Sequence, residues 1–181
     1  MIDREIIEQC RKGDLQNFRK LVDAVSPFAY SLAFRMMGDE EDANDITQEA
    51  MIIMWKRISS LKTPETLKKW LYRIVVNRCL DELRKKGRNP EIRPDEILWR
   101  EISGKISENP EVTFENKEIA EIIGKLTENL SPRQKAVFIL SEIEGMPATE
   151  ISEITGMSRV NIKANLWMAR KRMSEMIEKY I

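Results

Sequence analysis

A run of polar side chains near the C-terminus has the residue types and the spacing that suit contacts with nucleic acid. Basic and amide side chains alternate there with apolar ones, and Arg170 to Arg172 extend the basic surface. Such side chains donate hydrogen bonds to base edges and to phosphate oxygens. The candidate DNA contacts are Ser158, Arg159, Asn161, Lys163, Asn165 and Arg170.

The segment PATEISEITGMSRVNIKANLWMARKRM that holds these residues has the layout of a helix-turn-helix. Ile151 and Ile154 are spaced to face inward, and small Ser152 allows two helices to approach closely. Gly156 suits the tight turn, and Ser158 suits the N-cap of the second helix. A plain helical hairpin in an interaction domain is the alternative interpretation of the same pattern.

A second basic stretch lies at residues 68–88, with eight basic residues against two acidic ones. Arg73, Asn77, Arg84 and Lys85 lie close to one face of the predicted helix. Lys68, Lys69 and Arg78, with Lys86 and Arg88, suit phosphate contacts, whose contribution to affinity falls steeply with salt.

Acidic stretches separate the basic ones, although the net charge of the chain is zero. Residues 38–49 carry six acids and no base, and residues 91–128 carry ten acids against five bases. Residues 159–181 carry six bases against two acids. The alternation predicts two polyanion-facing surfaces on one chain, and ordinary solvated helix faces are the alternative.

The elements that must position these residues are all predicted to be helices. The 181 residues are 42% hydrophobic and 33% charged, with only 7 Gly and 7 Pro, and apolar residues recur at helical intervals. Asp14 and Ser131 are predicted N-caps, Asp39 to Asp42 the acidic first turn of a helix, Gly38 a helix end, and Pro27 the start of a separate segment. Helices are further expected at about 65–86, 114–126, 149–155 and from 158 onward.

The predicted fold class is all-α, with two small helical domains joined by a flexible linker. Proline, glycine and poor periodicity mark residues 91–114 as that linker. The first domain is predicted over residues 1–90, and the second over residues 115–181.

The composition argues against several classes of protein. Histidine is absent, and Cys10 and Cys79 are isolated, so neither a metal site nor a disulfide framework is expected. We see no phosphate-binding glycine loop and no nucleophile with a base, so we expect no cofactor and no enzyme. No signal peptide and no membrane span are recognisable, which favours a cytoplasmic protein without membrane insertion.

Both halves of the chain carry a family resemblance. LSPRQKAVFILSEIEGMPATEISEITGMSRVNIKANLWMARKRM resembles region 4 of bacterial sigma factors. DEEDANDITQEAMIIMW resembles the region 2 helix that binds RNA polymerase, and WLYRIVVNRCLDELRKKGR resembles the helix that meets the minus-ten element. The order, with a linker between the halves, is that of the extracytoplasmic-function (ECF, group 4) members of the sigma-70 family.

The resemblance implies a role for each candidate residue. Region 2 would bind the clamp of the largest polymerase subunit through Asp45, Gln48, Glu49, Met51 and Ile52. Region 4 would meet the flap of the second largest subunit, and its helix-turn-helix would bind the minus-thirty-five element. The implied minus-ten contacts are Lys68, Lys69, Arg73, Asn77, Arg78, Arg84 and Lys85, with Asn77 as the base reader.

Promoter opening would require a base to be held outside the duplex, in a pocket formed by the loop Ser60 to Lys69. Stacking in that pocket would come from Trp70 or Tyr72, and we expect Trp70 to belong to the core. The resemblance also implies an anti-sigma partner.

The chain departs from the family pattern at three places. Pro147 and Ala148 replace a polar and aromatic pair, Ala164-Asn165 replaces a serine and arginine, and Val160 replaces a small residue. The change at Ala164-Asn165 removes an expected phosphate contact and bears on the strength of minus-thirty-five binding, and Val160 bears on the docking angle of the helix. A stand-alone helix-turn-helix regulator and a sigma mimic that titrates a regulator are the competing hypotheses.

Overall fold

The computed structural model describes residues 4–61, 63–86, 123 and 126–178, and every regular element within them is helical. The all-α prediction is therefore confirmed. The predicted linker at 91–114 and most of the predicted helix at 114–126 lie outside the described residues. The helices are α1 (Arg4–Arg11), α2 (Leu15–Met37), α3 (Glu40–Arg57), α4 (Leu67–Lys86), α5 (Pro132–Phe138), α6 (Ala148–Thr155) and α7 (Arg159–Glu178).

Short polar side chains and glycines set the limits of the first helices. Asp14 caps α2, because its carboxylate accepts hydrogen bonds from the backbone N–H groups of Gln16 and Asn17 at 2.9 and 3.1 Å. These bonds hold the pKa of the Asp14 carboxyl below its usual value. Gly38 ends α2 with a φ of 73°, and Asp39 then caps α3 through the N–H of Asp42.

Pro27 does not begin a new helix, which corrects the prediction from the sequence. It lies inside α2, which continues unbroken from Leu15 to Met37. Proline removes one backbone donor, but the Ser26 hydroxyl donates a hydrogen bond to the Val22 carbonyl at 2.7 Å in the same turn. The flanking buried residues Val25 and Ala29 keep the helix against the core on either side of the proline.

Helices α1 to α4 form one helical unit. Helix α2 packs on α1, α3 and α4, and its long buried face supplies Leu21, Leu32 and Met36 to the core. Helix α3 also packs on α4 and ends in a 3-10 turn at Ile58–Ser60. A second 3-10 turn, Pro64–Thr66, leads into α4.

Helices α5 to α7 form the second unit. Ser131 and Gln134 cap α5 reciprocally, with Pro132 at its first position, as the sequence predicted for Ser131 and Pro132. One π-helical turn, Ile139–Ile143, continues α5, and Gly145 follows it with a φ of 67°. Helix α7 packs against both α5 and α6.

The two units pack on each other, an arrangement that the sequence left open. Helices α5 and α6 both lie against α4. One continuous hydrophobic cluster runs from Ile7 in α1 to Ile162 in α7. Helix α4 is consequently covered by α2 and α3 from its own unit and by α5 and α6 from the other.

Candidate nucleic-acid and polymerase interfaces

Helices α6 and α7 form the predicted helix-turn-helix. Gly156 adopts a φ of 74° at the end of α6, a conformation that glycine reaches without steric cost. The Ser152 hydroxyl donates to the Met157 carbonyl at 2.7 Å and ties the turn to α6. Ser158 then caps α7 by accepting from the N–H of Asn161 at 3.2 Å. The inner face of α7 is buried, and its opposite face is open.

The residues predicted to contact the minus-thirty-five element lie along the open sides of α7, and two of them, Asn165 and Arg170, make side-chain hydrogen bonds within the protein. Arg159, Asn161 and Lys163 are exposed. Asn165 turns back on its own helix, where its amide donates to the Asn161 carbonyl at 2.7 Å. Arg170 donates to the Glu142 carboxylate at 2.8 Å.

The centre of the open face of α7 is apolar, which the sequence prediction missed. Val160 is 77% exposed and Trp167 is 61% exposed, and Ala164 lies between them on the same face. The Lys171 ammonium lies 5.6 Å from the centroid of the Trp167 ring. The signal was present in the spacing, since these positions lie opposite the buried Ile162, Ala169 and Met173 on a helical projection.

The open face of α4 brings together Trp70, Arg73 and Asn77. Arg73 is exposed and the other two are half-buried, at positions three and four apart that share a helix face. Trp70 packs at the edge of the core, whereas Tyr72 is buried within it. Trp70 packs against the core as expected but is only half-buried, and Tyr72 is the more deeply buried of the two stacking candidates. Tyr72 is buried because its ring packs edge-on against Phe28, with centroids 4.6 Å apart.

The other side chains of α4 that are predicted to contact phosphates form ion pairs with carboxylates or lie over aromatic rings. Lys69 pairs with Glu153 of α6, and Arg78 pairs with Glu49 of α3. Arg84 pairs with Asp81 at 3.2 Å and Lys85 with Glu82 at 2.9 Å. Lys68 is exposed and lies 5.9 Å from the Phe28 and Tyr72 ring centroids. Exposed ion pairs contribute about 1 kcal/mol or less, so a phosphate can replace such partners.

The predicted clamp contacts lie on the outer face of α3, with one exception. Asp45, Gln48 and Glu49 are exposed, and Ile52 is a large apolar side chain that is 53% exposed beside them. Met51 is only 9% exposed and belongs to the core, so its prediction as an interface residue is wrong. Position 51 lies on the inner side of α3 with Ala43, Ala50 and Met54.

An ion pair and a hydrogen bond converge on Glu144 where the two units meet. Glu144 follows the π-helical turn, and its carboxylate accepts from Arg35 of α2 at 2.9 Å and from the Tyr72 hydroxyl at 2.7 Å. The side chains of Arg35 and Glu144 are each 11% exposed. Burial and the Glu144 carboxylate raise the pKa of Tyr72 well above its usual value, so the hydroxyl stays protonated and donates.

Lys135 of α5 is buried near Cys79 of α4. Burial is the main cause that lowers the pKa of Lys135 to about 8 and raises that of Cys79 to about 12. Glu128 partly offsets the effect on Lys135. Both cysteines are buried free thiols, and burial also raises the pKa of Cys10.

Comparison with known proteins defines the class of this chain. Residues 21–89 match the family description "Sigma-70 region 2", and residues 120–173 match "Sigma-70, region 4". The ECF RNA polymerase sigma factor SigW of Bacillus subtilis (strain 168) is 28% identical, over 98% of this chain and 97% of its own length. RNA polymerase sigma factor SigV of the same organism is 31% identical, over 80% of this chain and 81% of its own.

A solved structure supports the fold. The sigma factor RpoE from Bartonella quintana, in complex with the anti-sigma factor NepR, superposes with a TM-score of 0.61 at 20% sequence identity. The alignment covers 91% of this chain and 98% of that one. A two-part helical protein with regions 2 and 4 of this kind is a sigma factor of the sigma-70 type.

The chain belongs to the extracytoplasmic-function sigma factors of the sigma-70 family. It is an RNA polymerase sigma factor, which binds core RNA polymerase and promoter DNA and directs transcription initiation. Sigma factors are specificity subunits and carry no catalysis of their own. Among the helices that the structure describes, none has the length and apolarity needed to cross a membrane.

Proposed function

We propose that the two open helix faces of this chain read the two promoter elements. The open face of α4 contacts the minus-ten element, and the open face of α7 contacts the minus-thirty-five element. The observation that carries this proposal is the presence, on one chain, of two separate helices whose exposed sides bear amide and basic donors. The first unit, residues 1–90, thereby acts as region 2, and residues 115–181 act as region 4, joined by the linker 91–114.

The minus-ten face divides into base and phosphate contacts. Asn77 is the base reader, because an amide side chain both donates and accepts and can pair bidentately with a base edge. Trp70 lies three residues from Arg73 on the same face and is only half-buried, so its indole is the aromatic ring of this face that is available to stack on an unpaired base. Tyr72 is buried under Glu144, which leaves Trp70 as the stacking residue. Lys68, Lys69, Arg73, Arg78, Arg84 and Lys85 contact phosphates.

The outer face of α3 binds the polymerase clamp. Asp45, Gln48 and Glu49 provide acceptors, and Ile52 provides the exposed apolar area at the centre of the patch. Interfaces of this kind gain most of their affinity from a few buried anchors surrounded by polar residues. Region 4 contacts the polymerase flap, which sets the spacing between the two DNA-binding helices in the holoenzyme.

Promoter binding requires the packed arrangement to open. Helices α5 and α6 lie against α4, and Lys69 of the minus-ten face is engaged by Glu153 of the helix-turn-helix, so the packed arrangement holds the two DNA-binding helices close together. In the proposed cycle, the polymerase clamp and flap hold the two units apart. The chain takes no catalytic part, since nucleotide addition belongs to the polymerase. Because polymerase acts on the chromosome, the proposed location is the cytoplasm.

We also propose that an anti-sigma factor binds this chain. The fold is shared with RpoE of Bartonella quintana, which was solved with the anti-sigma factor NepR. Purification of the chain from its unstressed native host should recover a stoichiometric protein partner that is displaced when core polymerase binds. Recovery of the chain alone, or with polymerase only, would contradict this proposal.

The promoter-reading proposal is tested by selection. The purified chain is mixed with bacterial core RNA polymerase and a promoter library, and DNA that is retained only when both proteins are present is sequenced. A two-element motif is expected. Asn77→Ala should relax sequence preference at the minus-ten element alone, and Lys163→Ala should weaken binding through the minus-thirty-five element alone. Equal DNA retention without polymerase would instead favour a stand-alone regulator.

A further inference from the structure

An apolar stripe runs along the open side of the second helix of the helix-turn-helix. It consists of Val160, Ala164 and Trp167, which lie at intervals of four and three residues and are exposed. An exposed valine at the start of a recognition helix is not required for folding, because the core side of α7 is supplied by Ile162, Ala169 and Met173. The stripe therefore faces whatever α7 binds.

Charge around the stripe indicates a nucleic-acid partner. Arg159 and Lys163 border it on one side, and Lys171 continues it toward the C-terminus with its ammonium 5.6 Å from the Trp167 ring centroid. No acidic residue of α7 precedes Glu175. A face with cations around an apolar centre complements a major groove, whose walls are phosphates and whose floor carries one apolar group, the C5-methyl of thymine.

The position of the stripe on α7 gives its members different tasks. In helix-turn-helix proteins the N-terminal residues of the second helix contact base edges. Val160 and Ala164 occupy that part of α7, about 6 Å apart along the helix axis at a rise of roughly 1.5 Å per residue. That separation is close to two base steps of about 3.4 Å each, so both side chains can reach methyl groups of nearby thymines.

We infer that Val160 and Ala164 read thymine C5-methyl groups in the minus-thirty-five element, and that Trp167 packs against the wall of the same groove. The inference rests on the proposed function and deepens it, because it names the chemical feature by which region 4 selects its sequence. Ala164 thus supplies an apolar base contact at a position where the family often has serine, and Val160 supplies another where a small residue is common.

The test replaces thymine by deoxyuridine, which lacks only the methyl group. The minus-thirty-five motif is first selected with the chain and core polymerase, and the selected promoter is then made with each of its minus-thirty-five thymines changed in turn. Loss of a buried methyl contact should weaken retention about fourfold at each thymine that is read. Deoxyuridine elsewhere in the promoter duplex upstream of the minus-ten element should have no effect.

Substitutions connect the methyl groups to particular side chains. Val160→Ala shortens the side chain and should lower the ratio of retention on thymine DNA to retention on deoxyuridine DNA at one position. Ala164→Gly removes the only side-chain methyl and should bring that ratio close to one at another position. Arg159→Gln should weaken binding to the thymine duplex and to the deoxyuridine duplex equally. It should also reduce the salt dependence of that binding, because it removes a phosphate contact. Leu15→Ala is the matched control, since Leu15 is an exposed apolar residue of the other unit.

The outcomes separate the inference from the function on which it rests. Recovery of a two-element promoter that is indifferent to deoxyuridine would overturn the inference and leave the sigma function intact. Loss of polymerase binding by Val160→Ala or Trp167→Ala, with unchanged DNA preference, would assign the stripe to a protein partner and would also overturn it. Failure to recover any promoter with polymerase would remove the proposed function and the inference together.

Discussion

Ile52 and Met51 are adjacent residues of α3 with opposite environments, and they should respond differently to substitution. Ile52→Ala removes exposed apolar area from the proposed clamp interface and should weaken binding to core polymerase about tenfold, with an unchanged melting temperature. Met51→Ala opens a cavity in the core and should lower the free energy of unfolding by about 2–3 kcal/mol. Polymerase titration and denaturant unfolding measure the two effects.

The substitutions at Ile52 and Met51 also control for each other, because one tests polymerase binding and the other tests stability. If Ile52→Ala left polymerase affinity unchanged, or if it destabilised the chain as much as Met51→Ala, the outer face of α3 would not be the clamp-binding surface.

Lys135 should give the stability of the chain an unusual pH dependence. The pKa of Lys135 in the folded chain is about 8, below its ordinary value of 10.5. Between these two pH values the amine is protonated in the unfolded chain but not in the folded chain, so the free energy of unfolding rises with pH above 8. Cys79, with a folded pKa of about 12 against 9.0, acts in the opposite direction above pH 9. The free energy of unfolding should therefore rise by about 1 kcal/mol between pH 8 and 9 and then level off.

Lys135→Met removes the titrating group and should abolish this rise. Above pH 10 the raised pKa of Tyr72 adds a further loss of stability, because the tyrosine ionises more readily in the unfolded chain. Urea unfolding at pH 8 and pH 9, for the chain and the variant, measures the difference. A rise of the same size in Lys135→Met would show that Lys135 is not its source.

At the level of the helices, the turn between α6 and α7 depends on one glycine. A Cβ at Gly156 would meet no other atom within 4 Å, so the cost of substitution is that of a positive φ. Gly156→Ala should destabilise the chain by about 1–2 kcal/mol, and Gly156→Asn by less, because asparagine tolerates this conformation. Thermal unfolding of both variants separates two causes of instability. A backbone cost makes Gly156→Ala the less stable variant, whereas a packing cost would make Gly156→Asn the less stable one.

Local signals explain why the sequence predicted so much of the helical framework. The caps Asp14 and Ser131, the acidic helix start at Asp39 to Asp42 and the turn at Gly156 depend on neighbouring residues, and each lies where it was predicted. Pro27 was misinterpreted because tertiary packing of α2 overrides the local preference of proline. Met51 was misplaced because its environment depends on where the inner face of α3 ends, which the three-dimensional packing decides, and the deeper burial of Tyr72 relative to Trp70 depends on the same packing.

Across the whole molecule, Glu144 connects the two units, and no local pattern could have indicated this role. Its partners Arg35 and Tyr72 are distant in sequence, and the π-helical turn that precedes it was not predicted. The open face of α7 was predicted as polar, because its basic and amide residues were recognised. Its apolar centre was missed, although the spacing of Val160 and Trp167 was available.

Removal of Glu144 should separate the two units. Glu144→Ala leaves the Arg35 guanidinium without a carboxylate and with only its hydrogen bonds to Ser31 in a largely buried setting, and the loss of one member of a buried ion pair costs about 3 kcal/mol. Dyes placed at Ser60→Cys and Ser174→Cys should then report a longer and broader distance distribution by energy transfer. The native Cys10 and Cys79 are first replaced by alanine, because Cys79 lies near Lys135 of the other unit and would become reachable by the dye once the units separate.

Glu142→Ala is the matched control for this experiment. Glu142 lies two residues away, but its partner Arg170 belongs to the same unit, so the distance between the dyes should not change. An unchanged distance in Glu144→Ala as well would show that the Glu144 contacts do not hold the units together.

The central claim is that this chain opens promoters together with core RNA polymerase, and permanganate reactivity of unpaired thymines tests it most directly. On a promoter selected as described above, thymines around the minus-ten element should become reactive only when the chain and polymerase are both present. Trp70→Ala should reduce this reactivity more than it reduces binding to the closed duplex. Binding of the chain to DNA without polymerase, with no reactive thymines and no entry into the polymerase complex, would contradict the account.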